Sequence, residues 1–204
     1  MMCRISIFAL LAAAMTFAAE GDYIPVNASV DSHIDSVTVK AGSQTLTLGK
    51  NATISWQWVI GAAYSFTATG VATGYTARWQ VTKSGQTTLS GGAGNSINLS
   101  GDYAGCALSF YGEPNEYTVT LYQLPGGGGT SSVRAKYDQQ MPTPIGLPTR
   151  TGYTFNGYCA DPNGGLETRY YTSGGSSVRK WNIASDTTLY AWWSATEYTV
   201  IQSI

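Results

Sequence analysis

Past its first twenty residues, this chain repeatedly sets its apolar side chains at every second position. Tyr117, Val119 and Leu121 alternate with Thr118, Thr120 and Tyr122; Ile54, Trp56 and Trp58 alternate with Ser55 and Gln57; Leu46 and Leu48 alternate with Thr45 and Thr47. A period of two sends successive side chains to opposite faces of an extended strand. No window sustains a 3.6-residue apolar rhythm, so a helical protein is excluded. The 24 glycines, 14 tyrosines and only 11% charged residues fit short strands joined by turns. The expected fold class is therefore mainly β. Lys and Arg are scattered singly and the formal net charge is −1. That leaves no electrostatic reason to expect nucleic acid or an acidic membrane as a partner.

The first nineteen residues read differently. Arg4 is followed by a short apolar run from Ile5 to Ala14, then by Thr16-Phe17-Ala18-Ala19 and polar Glu20-Gly21-Asp22. This is the layout of a secretory signal peptide over residues 1–19, cleaved after Ala18 or Ala19. Its apolar run is too short to remain as a bilayer span. Export is the expectation, with no integral membrane span after cleavage. Cys3 leaves with the leader, so Cys106 and Cys159 remain. Cys106 alternates with Ala104, Leu108 and Phe110, and Cys159 with Phe155 and Gly157, which sets each thiol on a face with apolar neighbours. A buried thiol is the default reading. An oxidising compartment keeps a Cys106–Cys159 bond open, if the two Cα atoms come within about 7 Å.

Organisation shows in an internal echo. Glu116-Tyr117-Thr118-Val119 returns as Glu197-Tyr198-Thr199-Val200, and at the same offset Ala107-Leu108 faces Thr188-Leu189 and Tyr111 faces Trp192. Recurrence at a fixed spacing marks modules of one kind. One complete module spans residues 116–196, and residues 197–204 begin a further repeat or a terminal strand. Within the module, strands are expected at Tyr117–Tyr122, around Val133-Arg134-Ala135-Lys136-Tyr137, from Tyr153 to about Cys159, and at Thr187–Trp192. Pro142, Pro144 and Pro148 block regular helix between the second and third. Residues 164–180 form a long stretch of their own.

Pro148-Thr149-Arg150-Thr151-Gly152-Tyr153-Thr154-Phe155-Asn156-Gly157-Tyr158, followed by Asp186-Thr187-Thr188-Leu189-Tyr190-Ala191-Trp192-Trp193, resembles the Listeria–Bacteroides repeat, also called the internalin B-repeat. The resemblance covers about 80 residues. It implies a small β-grasp-like (α+β) module, a sheet wrapped round a short helical or irregular crossover. It also implies a non-catalytic place in bacterial envelope or secreted proteins.

Residues 21–115 carry short strands every 8–12 residues, which suggests a sandwich. The Trp79 strand, the turn at Lys83-Ser84-Gly85 and the corner from Asp102 to Cys106 resemble bacterial immunoglobulin-like domains. That resemblance implies an immunoglobulin-like β-sandwich with Trp79 filling the core between sheets.

Chemistry is sparse. A Ser-His-Asp or Cys-His hydrolase needs an imidazole beside a nucleophile, and the single histidine, His33, lies among polar residues as a solvated side chain. The twelve acidic residues are isolated, and Asp102, Glu113 and Asp161 fall in turns. Gly126 to Gly129 lacks the Gly-Lys-Ser/Thr of a phosphate loop. Asp161-Pro162-Asn163-Gly164 lacks the carboxylates of a calcium loop. No enzyme, cofactor or metal is expected. Aromatics carry the remaining binding chemistry. Alternation sets Tyr190 and Trp192 on one face and Leu189, Ala191 and Trp193 on the other. Whichever set lies outside offers rings to a protein or glycan at the cell surface, or is covered by neighbouring repeats. The expected function is a non-catalytic secreted or cell-surface protein: an adhesion, display or spacer module of the bacterial envelope. The alternatives are a glycan-binding module, or an accessory part of a larger extracellular enzyme.

Overall fold

The chain folds as two units, residues 1–113 and 114–204. The computed structural model describes residues 23–59, 63–83, 90–100 and 106–197. The expected signal peptide, the expected Ser84-Gly85 turn, the expected corner at Asp102 and the segment 198–204 lie outside the described residues.

In the first unit, β1 (Tyr23–Val30), β4 (Thr53–Val59), β6 (Tyr75–Lys83), β7 (Ser90–Ala93) and β9 (Cys106–Pro114) form a sheet ordered β4-β1-β9-β6-β7. The second sheet, ordered β3-β2-β5-β8, contains β2 (Ile34–Ala41), β3 (Gln44–Gly49), β5 (Ala63–Val71) and β8 (Ser96–Ser100). Alternate residues of both sheets turn inward. Val37 and Val39 of β2, Tyr64, Phe66 and Ala68 of β5, and Cys106, Leu108 and Phe110 of β9 are all buried in one cluster. Phe66 and Phe110, from opposite sheets, lie 5.7 Å apart between ring centroids. The mainly-β sandwich read from the alternation is what forms. Here β9 lies between β1, to which it runs parallel, and β6, while β8 is the edge of the other sheet.

Trp79 departs from expectation. Its neighbours in alternation, Ala77 and Val81, are each 1% exposed, but Trp79 is only partly buried. It faces Gly92 of β7 in register, and its ring fills the space a Cβ there would take, with Cζ2 at 3.1 Å. The indole therefore closes the end of the core instead of filling its centre.

The second unit is one mixed sheet, ordered β11-β10-β14-β12-β13, built from β10 (Glu116–Tyr122), β11 (Ser132–Lys136), β12 (Tyr153–Cys159), β13 (Arg169–Thr172) and β14 (Thr187–Ala195). Its first and last strands, β10 and β14, are adjacent and parallel; β10 with β11, β12 with β13 and β12 with β14 are antiparallel. Residues 137–152 cross between β11 and β12 without a helix and bury Met141 and Ile145 against the sheet. Among the described residues the one helical element is a single 3-10 turn, Leu166–Thr168. The long stretch 164–180 contributes β13, whose Tyr170 and Tyr171 enter the core. Trp181, fully buried, packs on Tyr170 with ring centroids 5.2 Å apart.

Period two fails once in this sheet. Phe155 pairs with Trp193, but Gly157 pairs with Trp192, so β12 carries one extra residue, a bulge. Beyond it Tyr158 stands opposite Ala191 on the core side, and Cys159 stands opposite Tyr190. The expectation that Cys159 shares the face of Phe155 is corrected accordingly. The thiol is fully buried on the other side, donating to the Gly165 carbonyl at 3.4 Å. Cys106 is buried in the first unit, and neither cysteine is in a disulfide.

Candidate interaction face

The residues of the two paired motifs are occupied with folding. Thr149 exchanges backbone hydrogen bonds with Gly127 in both directions, at 2.8 and 2.9 Å, which pins the crossover to the glycine run. Gly129 belongs there for steric reasons: its φ is +75 to +80° like that of Gly128, and a Cβ would stand 2.7 Å from the Gly146 carbonyl oxygen. Arg150 lies over the Tyr153 ring at 3.3 Å. Asp186, at the entry to β14, accepts from the Thr118 backbone N–H at 2.8 Å and locks that strand beside β10. Leu189 and Ala191 are buried, and Trp193 packs edge-on against Phe155 at 5.5 Å.

That arrangement decides which aromatic set of β14 faces outward. With Leu189, Ala191 and Trp193 committed to the core, alternation sends Tyr190 and Trp192 to the opposite face, where both are half-buried. Tyr122 of β10 is in register with Tyr190, and their rings meet edge to face at 5.8 Å. Tyr122 is 44% exposed. Trp192 leans over Gly164 so closely that a Cβ there would fall 2.2 Å from the indole Cδ1. The result is a strip of three rings, Tyr122, Tyr190 and Trp192, on the face opposite the core, which the turn carrying Gly164 and Gly165 covers in part over Trp192 and Cys159. Polar neighbours on β10 and β11 border it: Arg134 donates to Thr118 Oγ1 at 3.0 Å and lies 3.5 Å from Glu116. Alternation sets Tyr122 opposite Leu121 on β10, but its adjacency to Tyr190 depends on a parallel pairing that local pattern does not specify.

The candidate reactive groups are placed as follows. His33 sits in the turn between β1 and β2 and is more engaged than a solvated side chain. It stacks on Tyr75 at 4.0 Å, and its Nδ1 lies 3.1 Å from Asp31 Oδ2. That same carboxylate oxygen accepts from the Gly112 N–H at 3.0 Å. Glu113 pairs with Arg78 in the first unit. Asp161 Oδ1 accepts from the Asn163 N–H at 2.8 Å, the local turn bond expected of it. Among the described residues no three His, Cys, Asp or Glu side chains converge on a metal-sized site. Among them, too, no helix is long and apolar enough to cross a membrane.

No curated protein matches the chain. Residues 117–192, from the second residue of β10 to Trp192, match the family model of the Listeria-Bacteroides repeat domain, a surface-associated extracellular repeat family.

Proposed function

We propose that this chain is an exported, non-catalytic module of the bacterial envelope that adheres, displays or spaces through surface contact, with Tyr122, Tyr190 and Trp192 as the contact strip. The observation that carries the reading is the division of labour within the repeat. Its motif residues other than Tyr190 and Trp192 are spent on turns, register and core, while those two rings and Tyr122 lie on the face opposite the core and keep part of their surface accessible. Half-exposed aromatics on a rigid sheet offer large contact area at small entropic cost. The β-grasp-like reading of the module is supported by its mixed sheet, in which the first and last strands run parallel side by side, and by its irregular crossover. The signal-peptide layout of residues 1–19 supports export.

Fractionation of the source cells tests the reading. The chain is expected in the envelope or medium, with its N-terminus after Ala18 or Ala19, and protease added to intact cells should remove it. Binding of the purified chain to its cells or matrix should weaken roughly tenfold in Tyr190→Ala and Trp192→Ala variants. Recovery from the cytosol with Met1 intact overturns the export reading, and undiminished binding by both variants overturns the contact strip.

A further inference from the structure

The first unit carries a groove of about 230 Å³ on the outer face of its five-stranded sheet. On β6, Ala77 and Val81 are buried, so Arg78 and Gln80 project outward; on β9, Phe110 and Gly112 are buried, so Tyr111 and Glu113 project outward. Gln80 faces Gly91 in register, and the glycine contributes no side chain there. Trp79 covers the neighbouring Gly92 from the inward side, since directly paired residues share a face. The groove therefore has a floor of bare strand backed by an indole, and walls of a phenol, an amide and an ion pair.

Its electrostatics narrow the ligand class. Arg78 Nε donates to Glu113 Oε2, and among the described residues no other charged side chain lines the groove. The two charges cancel, so an anion would compete with Glu113 for the guanidinium and a cation with Arg78 for the carboxylate. Hydrogen-bonding capacity remains high: a guanidinium has five N–H donors, a carboxylate two acceptor oxygens, and the Gln80 amide supplies both kinds. The side chains of Arg78 and Glu113 are 37% and 44% exposed and so within reach of solute. A ligand suited to these walls is uncharged, rich in adjacent hydroxyls that bridge planar groups two at a time, and apolar on one flat side for Tyr111. We infer that this groove binds one neutral sugar residue of a surface polysaccharide. Its ring would lie against Tyr111, with hydroxyls bridged by Arg78, Glu113 and Gln80. The volume is below the roughly 300–1,000 Å³ of drug-sized sites, which fits a single ring held from one side. This site is in a different unit from the aromatic strip, so the two assignments fail separately.

The test is a titration of the nitrogen-15-labelled full chain, followed by amide chemical shifts. The probes are neutral oligomers of glucose, galactose, mannose and N-acetylglucosamine, with a hexuronate oligomer and a glucosamine oligomer as charged counterparts. At least one neutral oligomer should saturably shift amides at 78–80, 91–92 and 111–113. Gln80→Ala and Tyr111→Ala should each weaken it by roughly tenfold, with unchanged melting temperature for at least the outward-facing, half-buried Gln80→Ala. Three results overturn the inference: no saturable shift with any neutral oligomer, shifts confined to the strands bearing Tyr122, Tyr190 and Trp192, or tighter binding of either charged oligomer.

Discussion

Phe155 and Tyr158, three positions apart on one strand, both face the same core, with ring centroids 5.1 Å apart. Strict alternation forbids this, and the bulge before Gly157 permits it. Gly157 holds a φ of +137°, and a Cβ on it would stand 2.1 Å from the Tyr171 carbonyl oxygen on β13. Gly157→Ala must therefore break the bulge or push β13 away. A loss of about 3 kcal/mol or more is expected in urea unfolding of the full chain followed by near-ultraviolet circular dichroism. Thr154→Ala, at an exposed position on the same strand, should stay within about 0.5 kcal/mol. Equal unfolding midpoints for the two variants would show that the bulge does not depend on the glycine.

Alkali should unfold the second unit through its tyrosines. Burial pushes the Tyr158 hydroxyl up to about 12, and Tyr171 is raised further by the same cause. The Gln123 side chain opposes that rise at Tyr158, and burial outweighs it. An unfolded tyrosine ionises near pH 10, so stability is fully present below that pH. It falls as pH rises toward the folded-state value, since the unfolded chain sheds its protons first. Between about pH 10 and 12 the loss approaches roughly 1.4 kcal/mol per pH unit for each such tyrosine. Tyr158→Phe should flatten that fall, as measured by urea titrations at pH 9, 10 and 11. Equal slopes for both proteins would place the Tyr158 hydroxyl in solvent.

Both thiols should be silent in the folded protein. Cys106 and Cys159 are buried in separate units, and burial also raises the Cys159 thiol above its ordinary range. A thiol reagent that reacts through thiolate then meets neither access nor ionisation. Chain lacking the leader should give no reaction in buffer and two equivalents in denaturant without reductant. Zero equivalents in denaturant would establish a disulfide.

How much of this was readable from the chain follows from range. Strands β3, β4, β10 and β14 announce themselves by alternation, since each pattern is complete within one strand. The paired motifs likewise locate the repeat. Which face of β14 is buried does not follow from alternation, because parity separates Tyr190 and Trp192 from Leu189, Ala191 and Trp193 without choosing between them. Cys159 was assigned to the wrong face because one inserted residue inverts every side chain beyond it. His33 looked solvated because Tyr75, on which its ring stacks, is distant in sequence. Arg78 and Glu113 looked isolated for the same reason, although β6 and β9 lie side by side. The edge strand β13, four residues long with Arg169 and Thr172 at its ends, carries too short a pattern to register.

The two aromatic positions in the first unit should separate in energy. Phe66 is fully buried at the centre of the sandwich and packs on Phe110 from the opposite sheet. Its replacement by alanine leaves a cavity walled by two rigid layers, at a cost of about 3–5 kcal/mol. Trp79 is the larger side chain and the more conspicuous in sequence, yet it closes the edge over Gly92 and keeps part of its surface in water. Water can enter the space it vacates, so the cavity contribution is small, and the loss reduces to roughly 1–2 kcal/mol of transferred apolar area. Chemical unfolding of Phe66→Ala and Trp79→Ala in the full chain checks the order. A Trp79→Ala loss equal to or above that of Phe66→Ala would return the indole to the centre of the core and remove the backing proposed for the groove floor.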